Sequence, residues 1–182
     1  MGSRIVEGLR VMASPRRPIR LVVWKRPPPG IVKLTVDGCS KSNPGMAASE
    51  GILCDHRGEV SAAFGSFLGY QPILYAELMA VCKGLELAVQ FGHTVLEVES
   101  ISATMVSWIH TQGPVRWDYA YSLRQVCLLI SSSHIQVRHV LHEATSAADF
   151  QANWACSHRI SQRFLSPREL PLSLSSILHL DA

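Results

Sequence analysis

From Ile31 the chain alternates, with Val32, Leu34 and Val36 separated by Lys33 and Thr35, the pattern of a strand with one apolar and one polar face. That strand runs into Asp37-Gly38, and Asn43-Pro44-Gly45 marks a turn soon after. Residues 50–55 read as a second short strand, closed by Asp55-His56-Arg57-Gly58, and residues 59–69 read as a third. An antiparallel meander over 31–69 is therefore expected. The period then changes: Leu74, Leu78, Val81, Leu85 and Ala88 recur at spacings of three and four, which predicts an amphipathic helix opened near Pro72 and closed at Gly92. Residues 94–100 read as a fourth strand, 102–110 and 117–132 as helices, 134–140 as a fifth strand and 146–160 as a last helix. This order, β-β-β-α-β-α-α-β-α, implies an α/β fold in which helices cover a mixed sheet. No internal repeat is present.

Composition adds bounds to this picture. With 182 residues, 47% of them hydrophobic and 17% charged, the chain suits one folded domain and not a disordered one. No uncharged apolar run approaches the roughly 18 residues of a membrane span. The first ten residues lack the apolar core of a secretion signal, and Val6 stands where a myristoylation motif needs Ser or Thr. The five cysteines, Cys39, Cys54, Cys82, Cys127 and Cys156, include no C-x-x-C pair, so buried free thiols in a reducing compartment are expected.

Charge is uneven. Residues 1–33 carry eight basic side chains against Glu7 alone. Three readings stay open for this leader: a phosphate-binding arm, a solvated linker ending in Pro27-Pro28-Pro29, or an organelle transit segment. The compartment is accordingly open among nucleus, cytoplasm and organelle. The expected organisation is a basic, Pro-rich leader over 1–30, a domain over 31–160 and a tail over 161–182. A monomer is expected.

Three acids stand at element ends: Asp37 closing the first strand, Glu77 in the first turn of the long helix, and Asp149 in the first turn of the last helix. Each has an ordinary role available, Asp37 as a turn former and the other two as favourable charges at helix N-termini. Brought together they would repel, each with a raised pKa, unless a cation joined them. Hard carboxylate oxygens suit Mg²⁺, and two such ions would clamp a phosphodiester during attack by water.

Four segments, 32–60, 75–92, 96–106 and 139–152, follow in order and together resemble the ribonuclease H-like domain of plant non-LTR retroelements and their domesticated relatives. The likeness spans residues 22–181. It implies the ribonuclease H-like fold, a five-stranded mixed sheet flanked by helices, and Mg²⁺-dependent hydrolysis of the RNA strand of an RNA–DNA hybrid, with Mn²⁺ as an alternative ion. By position it makes Asp37, Glu77 and Asp149 the metal-binding acids. It also matches His139 to a loop histidine that assists water activation or product release. Gly38, Ser40, Lys41 and Asn43, in the turn after the first strand, are candidate contacts to phosphates or 2′-hydroxyls. Trp108 and Trp117 could stack on bases but are expected to pack against the core.

The chain also departs from the pattern. Where relatives read Val-Glu-x-Asp-Ser, residues 98–102 read Val-Glu-Ser-Ile-Ser, so Ile101 replaces the central metal-binding aspartate. His142 and Thr145 replace the usual Arg and Asn. Glu99, one strand repeat back from Ile101, is a poor substitute at roughly 6–7 Å. An enzyme with impaired chemistry and an inactive binding module are both consistent with these residues.

Overall fold

The computed structural model describes residues 24–112, 115–141 and 155–171. The chain enters as three strands, β1 (Val32–Lys41), β2 (Gly45–Cys54) and β3 (Val60–Gln71), then helix α1 (Ile73–Gln90). Strand β4 (Val95–Ser100) leads to helices α2 (Ala103–Thr111) and α3 (Trp117–Ser131), and these to strands β5 (His134–His139) and β6 (Gln162–Phe164). The sheet order is β5-β4-β1-β2-β3-β6. Neighbours β1/β2, β2/β3 and β3/β6 are antiparallel, whereas β1/β4 and β4/β5 are parallel.

The expected meander is present, with longer arms. β2 starts at Gly45 instead of Glu50, because Ala47 and Ala48 are buried in the sheet and pair with Ser40 and Cys39 on one side and with Gly69 and Phe67 on the other. Such small side chains carry weak strand preference, and pairing on both edges overrides it. Among the described residues the sheet has six strands, where five were expected. The sixth, three residues long, is too short for a period of two to be read from sequence; Phe164 anchors it against Ile52, Cys54, Val60 and Ala63.

The main core lies between the sheet and α1, α2 and α3, and includes Leu34, Val36, Leu78, Val81, Leu85, Val98, Met105 and Leu123. Helix α1 sits unusually close to β1 because of two glycines. A Cβ on Gly84 would come within 2.8 Å of Leu34 Cδ2 and 3.0 Å of Val36 Cγ1. One on Gly38 would lie 2.4 Å from the Glu77 backbone nitrogen. At its far end α1 closes on Gly92 at φ +73°, with Gly92 N–H donating to Val89 O and His93 N–H to Ala88 O. This is the glycine-terminated helix end that the sequence predicts.

The opposite sheet face is ionic along β1, β4 and β5. Lys33 is buried there, its ammonium donating to the Glu99 carboxylate at 2.6 Å and to the Lys25 carbonyl at 2.5 Å, 5.3 Å from the Trp24 ring centre. Next to it, Arg138 pairs with Glu97 at 2.7 Å.

Trp108 is partly buried against the core, its ring 6.2 Å from that of Tyr119. Trp117 corrects the expectation made for it: at the first position of α3 it is 88% exposed. Helical spacing places Tyr119, Leu123 and Val126 on the buried face instead. Of the cysteines, Cys54, Cys82 and Cys156 are buried, while Cys39 and Cys127 are half-buried. No helix among the described residues is long and apolar enough to cross a membrane.

Candidate active site

Alternation along β1 turns Leu34, Val36 and Gly38 toward α1 and sends Lys33, Thr35 and Asp37 to the other face. Asp37 is therefore a buried acid near the end of a core strand, its Oδ1 accepting from the Gly38 N–H at 2.7 Å. Glu77 reaches the same place from α1. Because Gly38 has no side chain, the helix backbone at 76–77 packs directly on β1, and this contact brings the two acids together.

Glu77 is not in the first turn of α1, as its spacing from Pro72 implied. The helix starts at Ile73, no acid lies in its first turn, and Glu77 begins the second. A favourable helix-end charge is thus a weaker explanation for it. Its Oε2 is buried without a hydrogen-bond partner. Burial, and then the negative charge of Asp37, push the Glu77 carboxyl up to about 8, so it holds its proton at neutral pH.

Position 101 lies beside Asp37. The parallel ladder of β1 and β4 ends at the pair Val36 and Ser100, so the next residues, Asp37 and Ile101, flank one another. Ile101 brings no donor atom there. Glu99 is engaged by Lys33, which holds its carboxylate one strand repeat away. His139 is the last residue of β5, not a loop residue, and its Nε2 donates to the Ile101 carbonyl at 3.1 Å. The imidazole thus stands at the same end of the sheet as Asp37. Asp149, His142 and Thr145 lie outside the described residues.

Of the residues proposed as substrate contacts in the turn after the first strand, Gly38, Ser40 and Lys41 lie in β1 itself, which pairs with β2 as far as Lys41, and only Asn43 lies in the turn; all have partners or packing roles in the fold. Asn43 Oδ1 accepts from the Ile73 N–H at 2.8 Å, satisfying one orphan donor at the start of α1. Ser40 Oγ donates to the Gln71 carbonyl at 2.8 Å, and Lys41 Nζ donates to Ser157 Oγ at 3.1 Å. Gly38 makes room for α1, which is a different use from making room for a ligand.

One residue that sequence reasoning passed over is Glu50. It is fully buried and sits directly across the ladder from Asp37. The signal was available, an acid within the small and apolar run 45–54, but strand assignment alone gave no reason to pair it with Asp37.

A family model described as reverse transcriptase-like matches residues 35–155. The chain belongs to that family. Its domain is ribonuclease H-like, of the reverse transcriptase-like type. An Arabidopsis thaliana protein named as a putative ribonuclease H protein is 32% identical over 164 residues, covering 89% of this chain and 26% of the relative. The chain therefore spans about a quarter of that relative's length. Among solved structures, RNase H1 from the archaeon Halobacterium salinarum NRC-1 matches with TM-score 0.66 and 26% identity, over 71% of this chain and 99% of that one. The N-terminal RNase H domain of rv2228c from Mycobacterium tuberculosis, solved as a fusion with maltose binding protein, matches with TM-score 0.66 and 26% identity, over 70% and 94% of the two chains. LC11-RNase H1 in complex with an RNA/DNA hybrid shares the fold at TM-score 0.65 and 20% identity, over 70% and 98%.

The domain's donors can be compared with what a hard divalent cation needs. A cation between Asp37 and Glu77 would relieve their repulsion and occupy the orphaned Oε2. Those two carboxylates are nevertheless short of a full set: no group of three acid, histidine or cysteine side chains that could hold a metal occurs among the described residues.

Proposed function

We propose that this ribonuclease H-like domain binds nucleic acid, with an RNA–DNA hybrid as its expected ligand, and that its hydrolysis of the RNA strand is impaired. The observation that carries this reading is Ile101 beside Asp37, with Glu99 held away by Lys33. Asp37, Glu77 and Asp149 are the side chains that would hold Mg²⁺ or Mn²⁺. The bound ion would activate water and steady the charge on the phosphate. With a donor missing at position 101, ion affinity falls and the attacking water loses its orientation.

The protein's own groups have assignable parts in this reading. The His139 imidazole, exposed at the sheet end, is the group to accept or return a proton near the phosphate. Lys41 and the backbone around Ser40 are the proposed contacts to phosphate and 2′-hydroxyl groups. Retention of the fold without full chemistry also accommodates a purely binding role.

The test is cleavage and binding of a labelled RNA–DNA hybrid, in Mg²⁺ and in Mn²⁺, by wild type and by Ile101→Asp. The expected result is hybrid binding by both, with turnover low or absent in wild type and raised in the variant. Wild type cutting as fast as the variant would show that position 101 is not limiting. Failure of both to bind would remove the nucleic-acid reading altogether.

A further inference from the structure

Asp37 and Cys39 lie on the same face of β1, which is covered there by the helical residues 155–158. Cys156 in that segment is 3% exposed and shares a small apolar cluster with Ala48 and Ala155, against which Cys39 and Met46 pack. The Cys156 thiol donates to the Met46 carbonyl at 3.1 Å, and Cys39 packs against the cluster that holds Cys156, near enough for the two thiols to influence one another. Cys39 is half-buried, and the other three cysteines, Cys54, Cys82 and Cys127, lie in other clusters. Two thiols in one cluster at an interface between a strand and a helix, one of them half-buried, are the starting point for a disulfide between them.

We propose that Cys39 and Cys156 form an intramolecular disulfide on exposure to a low-molecular-weight disulfide, stapling β1 to the C-terminal helix. Cys39, the accessible partner, gives up its proton and attacks the small disulfide. The small S–S bond breaks, a mixed disulfide forms on Cys39, and one small thiolate leaves and takes up that proton. Cys156 then loses its proton and attacks the Cys39 sulfur. The protein disulfide forms, the second small thiol departs with the proton, and the two electrons given up by the protein sulfurs end on the small thiols. Cys39 is only partly accessible and Cys156 is buried, so the reaction is expected over hours, not seconds. The staple joins the strand of Asp37 to Cys156, seven residues after Asp149 in sequence.

The experiment treats the full chain with glutathione disulfide, alkylates remaining thiols and maps linked peptides by mass spectrometry. The expected product joins Cys39 to Cys156, leaving Cys54, Cys82 and Cys127 alkylated. It should raise Tm by about 10 °C, since the closed loop exceeds a hundred residues, and lose that gain on reduction. Cys39→Ser should abolish both the link and the gain. A map in which Cys39 and Cys156 remain alkylated, or join other cysteines, overturns the proposal, and it needs no variant to fold. A Cys39–Cys156 link that leaves Tm unchanged overturns the staple.

Discussion

Replacing Glu77 by Gln is expected to stabilise the domain, by an amount that depends on pH. Glu77 is 5% exposed, and burial with the neighbouring Asp37 charge raises its carboxyl to about 8 from an ordinary value of 4.5. Below about pH 4.5 the group is protonated in both folded and unfolded chains and costs nothing. As pH rises toward 8, the unfolded chain releases the proton while the folded chain keeps it, so folding costs about 1.4 kcal/mol more per pH unit. At pH 7 the accumulated penalty is roughly 3 kcal/mol, levelling off above pH 8. Glutamine has nearly the shape of the protonated acid and cannot ionise, which removes the penalty. Urea denaturation of wild type and Glu77→Gln at pH 5, 6, 7 and 8 checks this, read as the difference in unfolding free energy at each pH. The difference should be small at pH 5 and grow steadily in favour of the variant. A difference flat with pH, or a variant less stable at pH 8, would refute the claim that burial and Asp37 suppress ionisation of Glu77. The same substitution removes a proposed metal ligand, so a loss of Mg²⁺ response should accompany the gain in stability.

Other expectations follow from single contacts. Gly38→Ala places a Cβ 2.4 Å from the Glu77 backbone nitrogen, and should cost about 3 kcal/mol by thermal or chemical unfolding; a neutral effect would mean that α1 does not rest on β1 there. Asn43→Ala removes the acceptor for the Ile73 N–H, and a loss of about 1 kcal/mol is expected, with Asn43→Asp retaining most of the stability. Glu99→Gln leaves the Lys33 ammonium buried without its carboxylate, with an expected loss of about 3 kcal/mol, whereas Lys33→Met combined with Glu99→Leu should recover most of it. If the double variant is as unstable as the single one, the pair itself holds that sheet face together.

Much of this architecture was legible because it rests on local rules. Alternation over 31–36 wrote β1, spacings of three and four wrote α1, and Gly92 wrote its end at positive φ. Ordered motifs put Asp37, Glu77 and Ile101 on a short list of chemically meaningful positions. What local rules could not supply is contact. Small residues at 47–49 have no pattern that says strand until partners on both sides pair with them. The three residues of β6 carry too little periodicity to register, and a tryptophan such as Trp117 is read as core until its helix face is known.

At the site the division is sharper. By itself the sequence determined which residue types stand at the strand and helix ends, including the isoleucine at position 101, because type and order are all it contains. Only the tertiary structure decided that Gly38 lets α1 settle on β1 and so joins Glu77 to Asp37, and that Glu50 faces Asp37 across the ladder. It alone engages Glu99 with Lys33 and packs Cys39 against the cluster of Cys156. The physical reason is that proximity, burial and the loss of solvation are properties of packed pairs, and none of them belongs to a residue alone.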